Sequence, residues 1–169
     1  MITIRPAIIP DAKLLYQLGR QTFAETFTHY APGEVEPFLD EHYSEAAFAE
    51  ELSDATSRFW IAESDHGAIA YAKLGTMKLP IPFPENSFEL HKLYVQADWK
   101  GKQIGSQLMT AILAEAATLK ARHLYLGVWE KNLAAQQFYQ RFGFMKVAEY
   151  NYPPIGNTID REWILHKSL

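Results

Sequence analysis

The sequence predicts an α+β fold, one mixed sheet with helices on both sides, and three observations carry that reading. Helical periodicity fills the first third of the chain, and alternating strands follow it. A strand, a glycine-bearing turn, an amphipathic helix and a second strand then run from Phe88 to Trp129, the order of a β-α-β unit. Such crossovers are right-handed in nearly all proteins, which makes the two strands parallel. Apolar residues make up 48% of the 169 residues and aromatics 14%, enough to bury a core without metal or disulfide. The length suits one domain, residues 1–169, and no repeat, low-complexity tract or linker divides it.

Taken in order, Ile2–Arg5 alternates and stops at Pro6, a short first strand. Asp11 after Pro10 predicts an N-cap, and Leu14, Leu15, Leu18, Phe23 and Phe27 carry a long helix to about His29. Pro32-Gly33 breaks it, and a short helix covers Glu34–Glu41. Ser44 caps a third helix ending near Leu52, with Tyr43 and Phe48 placed as a hydrophobic staple. Arg58–Glu63 and Ala68–Leu74 flank Ser64-Asp65-His66-Gly67, a hairpin signal. Pro80, Pro82 and Pro84 have no N–H for a ladder, so Lys78–Ser87 is a loop or an edge. Phe88–Val95 reads as a central strand. The helix after it spans Ile104–Lys120, with Ile104, Leu108, Ala111, Ile112 and Leu119 on its apolar face, and strand His123–Trp129 follows. Asn132 caps a last helix whose inner face is Ala135, Phe138, Tyr139 and Phe142, and Gly143 supplies a left-handed C-terminal cap. Phe144–Tyr150 and Ile159–His166 are the final strands, joined by a loop carrying Pro153-Pro154-Ile155-Gly156.

Composition excludes several classes of function. Sixteen basic against twenty acidic residues leave a net charge of −4 and a pI near 5.9, so no global basic field attracts nucleic acid. There is no cysteine, hence no disulfide, thiolate metal site or cysteine nucleophile. The six histidines (29, 42, 66, 91, 123, 166) show no metal-ligand spacing, and no metal is expected. Met1–Pro6 has no basic region leading into an apolar run, and no stretch approaches the ~18 apolar residues of a span. A soluble, cytoplasmic protein without membrane contact is the expectation.

Lys100-Gly101-Lys102-Gln103-Ile104-Gly105-Ser106 joins a strand to a helix. Unpaired N–H groups and the positive end of a helix dipole suit a phosphate there, and glycines allow close approach. Alone, the segment is equally an ordinary turn with solvated lysines. It lies among three other features: Ile4-Arg5-Pro6-Ala7 with Asp11-Ala12, Leu93-Tyr94-Val95, and Val128-Trp129-Glu130-Lys131-Asn132…Ala135…Phe138-Tyr139…Phe142-Gly143-Phe144. In that order they resemble the GCN5-related N-acetyltransferase (GNAT) superfamily over essentially the whole chain. Gln21–Phe27 and Leu126–Asn132 further resemble the bacterial spermidine/spermine N-acetyltransferases of the PaiA type.

The resemblance implies a GNAT fold: a mostly antiparallel mixed sheet whose central parallel pair splays to admit acyl-CoA. It implies an enzyme that moves acetyl from acetyl-CoA, as acyl-donor substrate, to a small-molecule amine. Leu93, Tyr94 and Val95 would pair with the pantetheine. The pyrophosphate would rest on the turn Lys100, Gly101, Lys102, Gln103, Ile104, Gly105 and Ser106. Asn132 would contact the pantetheine and Tyr139 would protonate the leaving thiolate. A backbone N–H near Val95 would steady the oxyanion. Gln103 stands where the family has a glycine, so its side chain must point outward or the loop must shift. By spacing alone, Tyr139 reads first as a core tyrosine beside Phe138 and Phe142, and it is the resemblance that reverses this.

The amine must lose a proton before it attacks. Glu89, alternating with His91 and Leu93, is the first candidate base, against an ordinary salt-bridged strand glutamate. His91 is the second, with His29 and Tyr30 further out. Glu25, Tyr30, Glu41 and His91 are expected to bind the acceptor. The acidic residues Glu25, Glu34, Glu36, Asp40 and Glu41 would draw a polycation, or form a solvated helix face. A polyamine is therefore the expected acceptor. An amino acid, an aminoglycoside, a protein N-terminus, or a regulatory acyl-CoA-binding module without turnover are the alternatives. A homodimer is left open.

Overall fold

The computed structural model describes all 169 residues. Seven strands form one sheet: β1 (Thr3–Pro6), β2 (Arg58–Ser64), β3 (Gly67–Gly75), β4 (Ser87–Val95), β5 (His123–Trp129), β6 (Met145–Asn151) and β7 (Arg161–Ser168). Their order is β1-β2-β3-β4-β5-β7-β6, and every neighbouring pair is antiparallel except β4–β5. The five helices are α1 (Ala12–Thr26), α2 (Glu36–His42), α3 (Glu45–Ser53), α4 (Ile104–Thr118) and α5 (Leu133–Arg141). None is long and apolar enough to cross a membrane.

Two cores form because the sheet is apolar on both faces. On one face α4 buries Leu108, Met109 and Ile112 completely against Ala72, Leu74, Leu90 and Leu124. On the other, α1 and α3 bury Leu15, Leu18 and Phe48 against Phe59, Ile61 and Tyr71. A third cluster, Leu79, Tyr125 and Ile164, lies under the proline-rich loop. Ser44 caps α3 as expected, accepting from the Ala47 N–H at 3.1 Å, and Tyr43 packs edge-on to Phe48. Asn132 likewise accepts from the Ala135 N–H at 3.1 Å, and Gly143 takes φ +87° after α5.

Other expectations are corrected. Asp11 does not cap α1, because its carboxylate is taken by the Arg5 guanidinium, at 2.8 and 2.9 Å, and by the Ile8 N–H. Helix α1 stops at Thr26 rather than His29, since His29 and Tyr30 turn away to Asp160. Strand β7 starts at Arg161, two residues later than expected. On β4 the register against β3 shifts between Lys73↔Lys92 and Leu74↔Leu90, which leaves His91 as an extra, bulged residue. Alternation therefore breaks. Leu90, Leu93 and Val95 pack toward α4, while Tyr94 joins the core under α1 and Lys92 lies over Tyr43 and Phe48. Glu89 and Leu93 do not share a face.

Candidate active site

The parallel pair is joined only through Ser87↔His123, Phe88↔Leu124 and Glu89↔Tyr125. Beyond those residues β4 stays with β3 as far as Val95, and β5 stays with β7 as far as Trp129. The two facing edges separate, and their N–H and C=O groups have no partner across the gap. An extended chain bearing amides can pair there as an added strand. A cavity of about 420 Å³ occupies the opening. Leu93, Tyr94, Val95, Lys100, Gly101, Gln103, Ile104, Gly105, Ser106, Asn132 and Tyr139 line it. Of the residues expected to hold the acyl donor, Lys102 alone stands outside; its ammonium lies 4.7 Å over the Trp99 ring.

The cavity ends at the N-terminus of α4, whose first N–H groups have no helical acceptor. The chain enters α4 through two left-handed residues, Gly101 at φ +76° and Gln103 at φ +62°. Gln103 keeps the backbone shape that favours glycine and sends its side chain to solvent. At Gly105 a Cβ would come within 3.4 Å of the Phe138 ring, so α4 and α5 close on each other around that position.

Tyr139 reaches the gap from α5. Its residue is 8% exposed and its hydroxyl makes no hydrogen bond within the protein. Burial pushes that hydroxyl well above its ordinary value, so the phenol is protonated at neutral pH. Helix α5 is fixed by the Asn132 cap and by Gln136, whose amide donates to the carbonyls of Trp129 and Glu130.

A second cavity of about 550 Å³ adjoins the first on the α1 and α2 side. Phe27, His91, Lys92, Tyr94, Gly127, Trp129 and Glu162 line both, and mark where they meet. Its aromatic walls include Phe38, Tyr43 and Tyr152. A latch closes one side: His29 stacks on Trp129 at 4.2 Å, and His29 and Tyr30 both bond Asp160, the tyrosine hydroxyl at 2.6 Å.

Glu89 lines this second cavity, but its carboxylate is occupied. Oε2 accepts from the N–H groups of Lys78, at 2.6 Å, and Leu79, and Oε1 lies 3.3 Å from His91 Nδ1. Burial works to raise this carboxyl, but His91 and the two N–H groups outweigh it and hold it below the usual carboxylate range. Glu89 thus anchors the proline-rich loop and is a poor proton acceptor. Both ring nitrogens of His91 face oxygens, Glu89 and the Thr76 carbonyl, which leaves neither for an amine.

Glu162 is placed differently. It stands on β7 opposite Trp129 and reaches the junction of the cavities. Oε2 accepts from the Tyr150 hydroxyl at 2.8 Å, and Oε1 has no partner in the protein. Burial raises this carboxyl, with Asp160 and Glu89 adding to the rise and Tyr150 opposing it. Gly127 makes the room: a Cβ there would come within 2.5 Å of Glu162 Oε2.

The acidic head residues do not face this space. Glu25 accepts from the Ala97 N–H at 2.9 Å and from Gln21, tying α1 to the segment after β4. Glu34 accepts from the Ala31 and Asn157 N–H groups and the Thr158 hydroxyl, which holds the β6–β7 loop against the head. Glu41 is exposed beside His42. Of the four residues expected to bind the acceptor, Tyr30 and His91 line the second cavity and Glu25 and Glu41 do not.

The model of the acetyltransferase (GNAT) family matches residues 20–144, which spans β4, the α4 turn and α5. The chain belongs to the GNAT family. An uncharacterised N-acetyltransferase of Mycobacterium tuberculosis is 36% identical over 114 residues, covering 68% of this chain and 69% of that one. The spermine/spermidine N(1)-acetyltransferase of Bacillus subtilis is 31% identical over 64 residues, 37% of this chain and 42% of that one. The crystal structure of a PaiA N-acetyltransferase from Thermoplasma acidophilum in complex with coenzyme A shares the fold, with TM-score 0.81 over 100% of this chain and 99% of that one at 22% identity. The chain is thus a GNAT-fold acyl-CoA-dependent acetyltransferase.

In this GNAT chain the sequence reading missed Glu162, Gly127, Trp129 and Lys92 as site residues. Glu162 had a signal. It shares a strand face with Ile164, which is fully buried, and a carboxylate on a buried face needs a reason. Lys92 had none, because the bulge that turns it into the cavity has no sequence mark.

Proposed function

We propose that the protein transfers acetyl from acetyl-CoA to a primary amine seated beside Glu162, with Tyr139 as general acid. The observation that carries this is a free carboxylate oxygen at the junction of the two cavities and an unbonded phenol lining the first. The acyl donor lies in the β4–β5 gap, its phosphates toward the α4 N-terminus and Lys100. The ammonium gives one proton to Glu162, directly or through water. The neutral nitrogen attacks the thioester carbonyl, the C–S bond breaks, and the thiolate takes the Tyr139 proton. The second amine proton returns to the tyrosine through solvent. Glu162 replaces Glu89 as the base because it has an oxygen to spare and a raised affinity for a proton.

The Bacillus relative makes a polyamine one candidate acceptor. Glu89, Asp160 and Glu162 in the acceptor cavity favour an ammonium, and Lys73, Lys78 and Lys92 in the same cavity oppose one. The head carboxylates lend it no support. The test is release of free CoA thiol from acetyl-CoA across a panel of primary amines, with the N-acetylated product weighed by mass spectrometry. Amine-dependent release is expected. Tight binding of acetyl-CoA without turnover of any amine would make the protein an acyl-CoA-binding module instead.

A further inference from the structure

The acceptor cavity also carries positive charge. Lys73, Lys78 and Lys92 all line it, with Glu51 as the carboxylate among them. Glu51 is committed to Lys73, whose ammonium is 5% exposed and 2.6 Å from it. Lys78 is exposed at the rim and its side chain makes no bond. Lys92 is the notable group. Its ammonium lies 4.3 Å over the Tyr43 ring and 4.8 Å over Phe48, and it has no hydrogen-bond or salt-bridge partner in the protein. Two ring faces are a weak substitute for water or an anion. Burial accordingly lowers the Lys92 ammonium to about 8, only partly opposed by Glu51.

The remaining carboxylates of the cavity are Glu89, Asp160 and Glu162, and Glu162 feels both of the others. Lys92 on β4 and Glu162 on β7 are separated by β5. Beyond Glu89, β4 and β5 part, and Lys92 and Glu162 both line the junction of the two cavities. The cavity therefore carries both signs, a free carboxylate oxygen on Glu162 and an unpartnered ammonium on Lys92. A second ammonium in the body of a polyamine would meet uncompensated lysines there.

We propose that the acceptor is a primary amine carrying an anionic group, a carboxylate or a phosphate, and that Lys92 and Lys78 bind that group. This rests on the acetyl-transfer reading above and names its substrate class. An anion at Lys92 supplies the partner the protein withholds, and orients the chain so that its amine points to Glu162. The aromatic rings of Tyr43 and Phe38 flank the apolar body between the two ends.

The experiment compares three amines of one length: pentylamine, cadaverine and 5-aminovalerate, whose far ends are neutral, positive and negative. An aminopropyl phosphate arm distinguishes phosphate from carboxylate. In the wild type, kcat/KM is expected to be highest for an anionic member, by roughly 10–100-fold over pentylamine, the range of one charge-assisted hydrogen bond, and lowest for cadaverine. In Lys92→Met the ratio of 5-aminovalerate (or aminopropyl phosphate) to pentylamine should collapse toward one. In Lys78→Ala, at an exposed position where folding is not at stake, it should fall severalfold. A preference for cadaverine in the wild type, or a ratio unmoved in both variants, overturns the proposal while pentylamine turnover leaves acetyl transfer intact. Turnover of none of the amines by protein that binds acetyl-CoA overturns both.

Discussion

In the proposed mechanism Tyr139 and Glu162 divide the proton traffic of the reaction, and each role has its own signature. Tyr139→Phe keeps the ring among Phe138 and Phe144 and removes the proton. Turnover should fall by roughly 10²–10⁴-fold with acetyl-CoA affinity nearly kept, measured by single-turnover quench and calorimetry. A change within twofold in the single-turnover rate would leave Tyr139 a packing residue. Glu162 acts as the carboxylate, and burial has raised its pKa. The wild type should therefore lose kcat/KM as pH falls through that raised value, whereas Glu162→Gln should be low throughout and lack the acid limb. Retention of the limb in Glu162→Gln would assign it elsewhere. The Tyr139 reading comes from the resemblance carried by Asn132…Phe138-Tyr139, since its spacing alone reads as a core tyrosine. For Glu89, what the sequence could not show is that Oε2 is filled by the backbone N–H groups of Lys78 and Leu79, which no side-chain pattern reveals.

At the scale of elements, the parallel pair β4–β5 and the turn into α4 were readable from strand, glycine and helix signals. Strand His123–Trp129 appears with the bounds read from its alternation. What stayed hidden was the bulge at His91, which decides that Lys92 and not Leu93 faces the acceptor. Bulges follow from packing on both faces of a sheet, here Leu90 with α4 and Tyr94 with α1, rather than from a local motif. The turn itself stores strain. Gln103 at φ +62° pays the steric cost of the left-handed region, about 1–2 kcal/mol for a residue with a Cβ. Gln103→Gly should raise stability by up to about 1 kcal/mol after the unfolded-state entropy of glycine is subtracted, read as a rise in Tm. It should tighten acetyl-CoA binding modestly, by opening the approach to the α4 N–H groups. A destabilised Gln103→Gly would mean that the side chain holds the turn.

Across the whole molecule, one sheet carries two cores and opens between them, and the opening costs stability. Lys92 shows this cost. Burial lowers its ammonium to about 8 from the 10.5 of a free lysine, so the folded chain binds fewer protons between those values. Stability contributed by this group therefore rises as pH climbs from about 8 to 10.5, and the full penalty is present below 8. Lys92→Met should be more stable than the wild type at pH 7, on the order of 1–2 kcal/mol, with the gap closing toward pH 10.5 in denaturant titrations. Equal stability at both pH values would show that the cavity solvates the ammonium.

The central claim is that the separated edges of β4 and β5 are the seat of the acyl donor. Backbone amide hydrogen exchange, with and without acetyl-CoA, tests it most directly. Acetyl-CoA should slow exchange in Leu90–Val95 and Lys100–Ser106, and leave β1 and β6 at the far edges of the sheet unchanged. Binding that protects neither segment, or that protects only residues outside the gap, would contradict the claim.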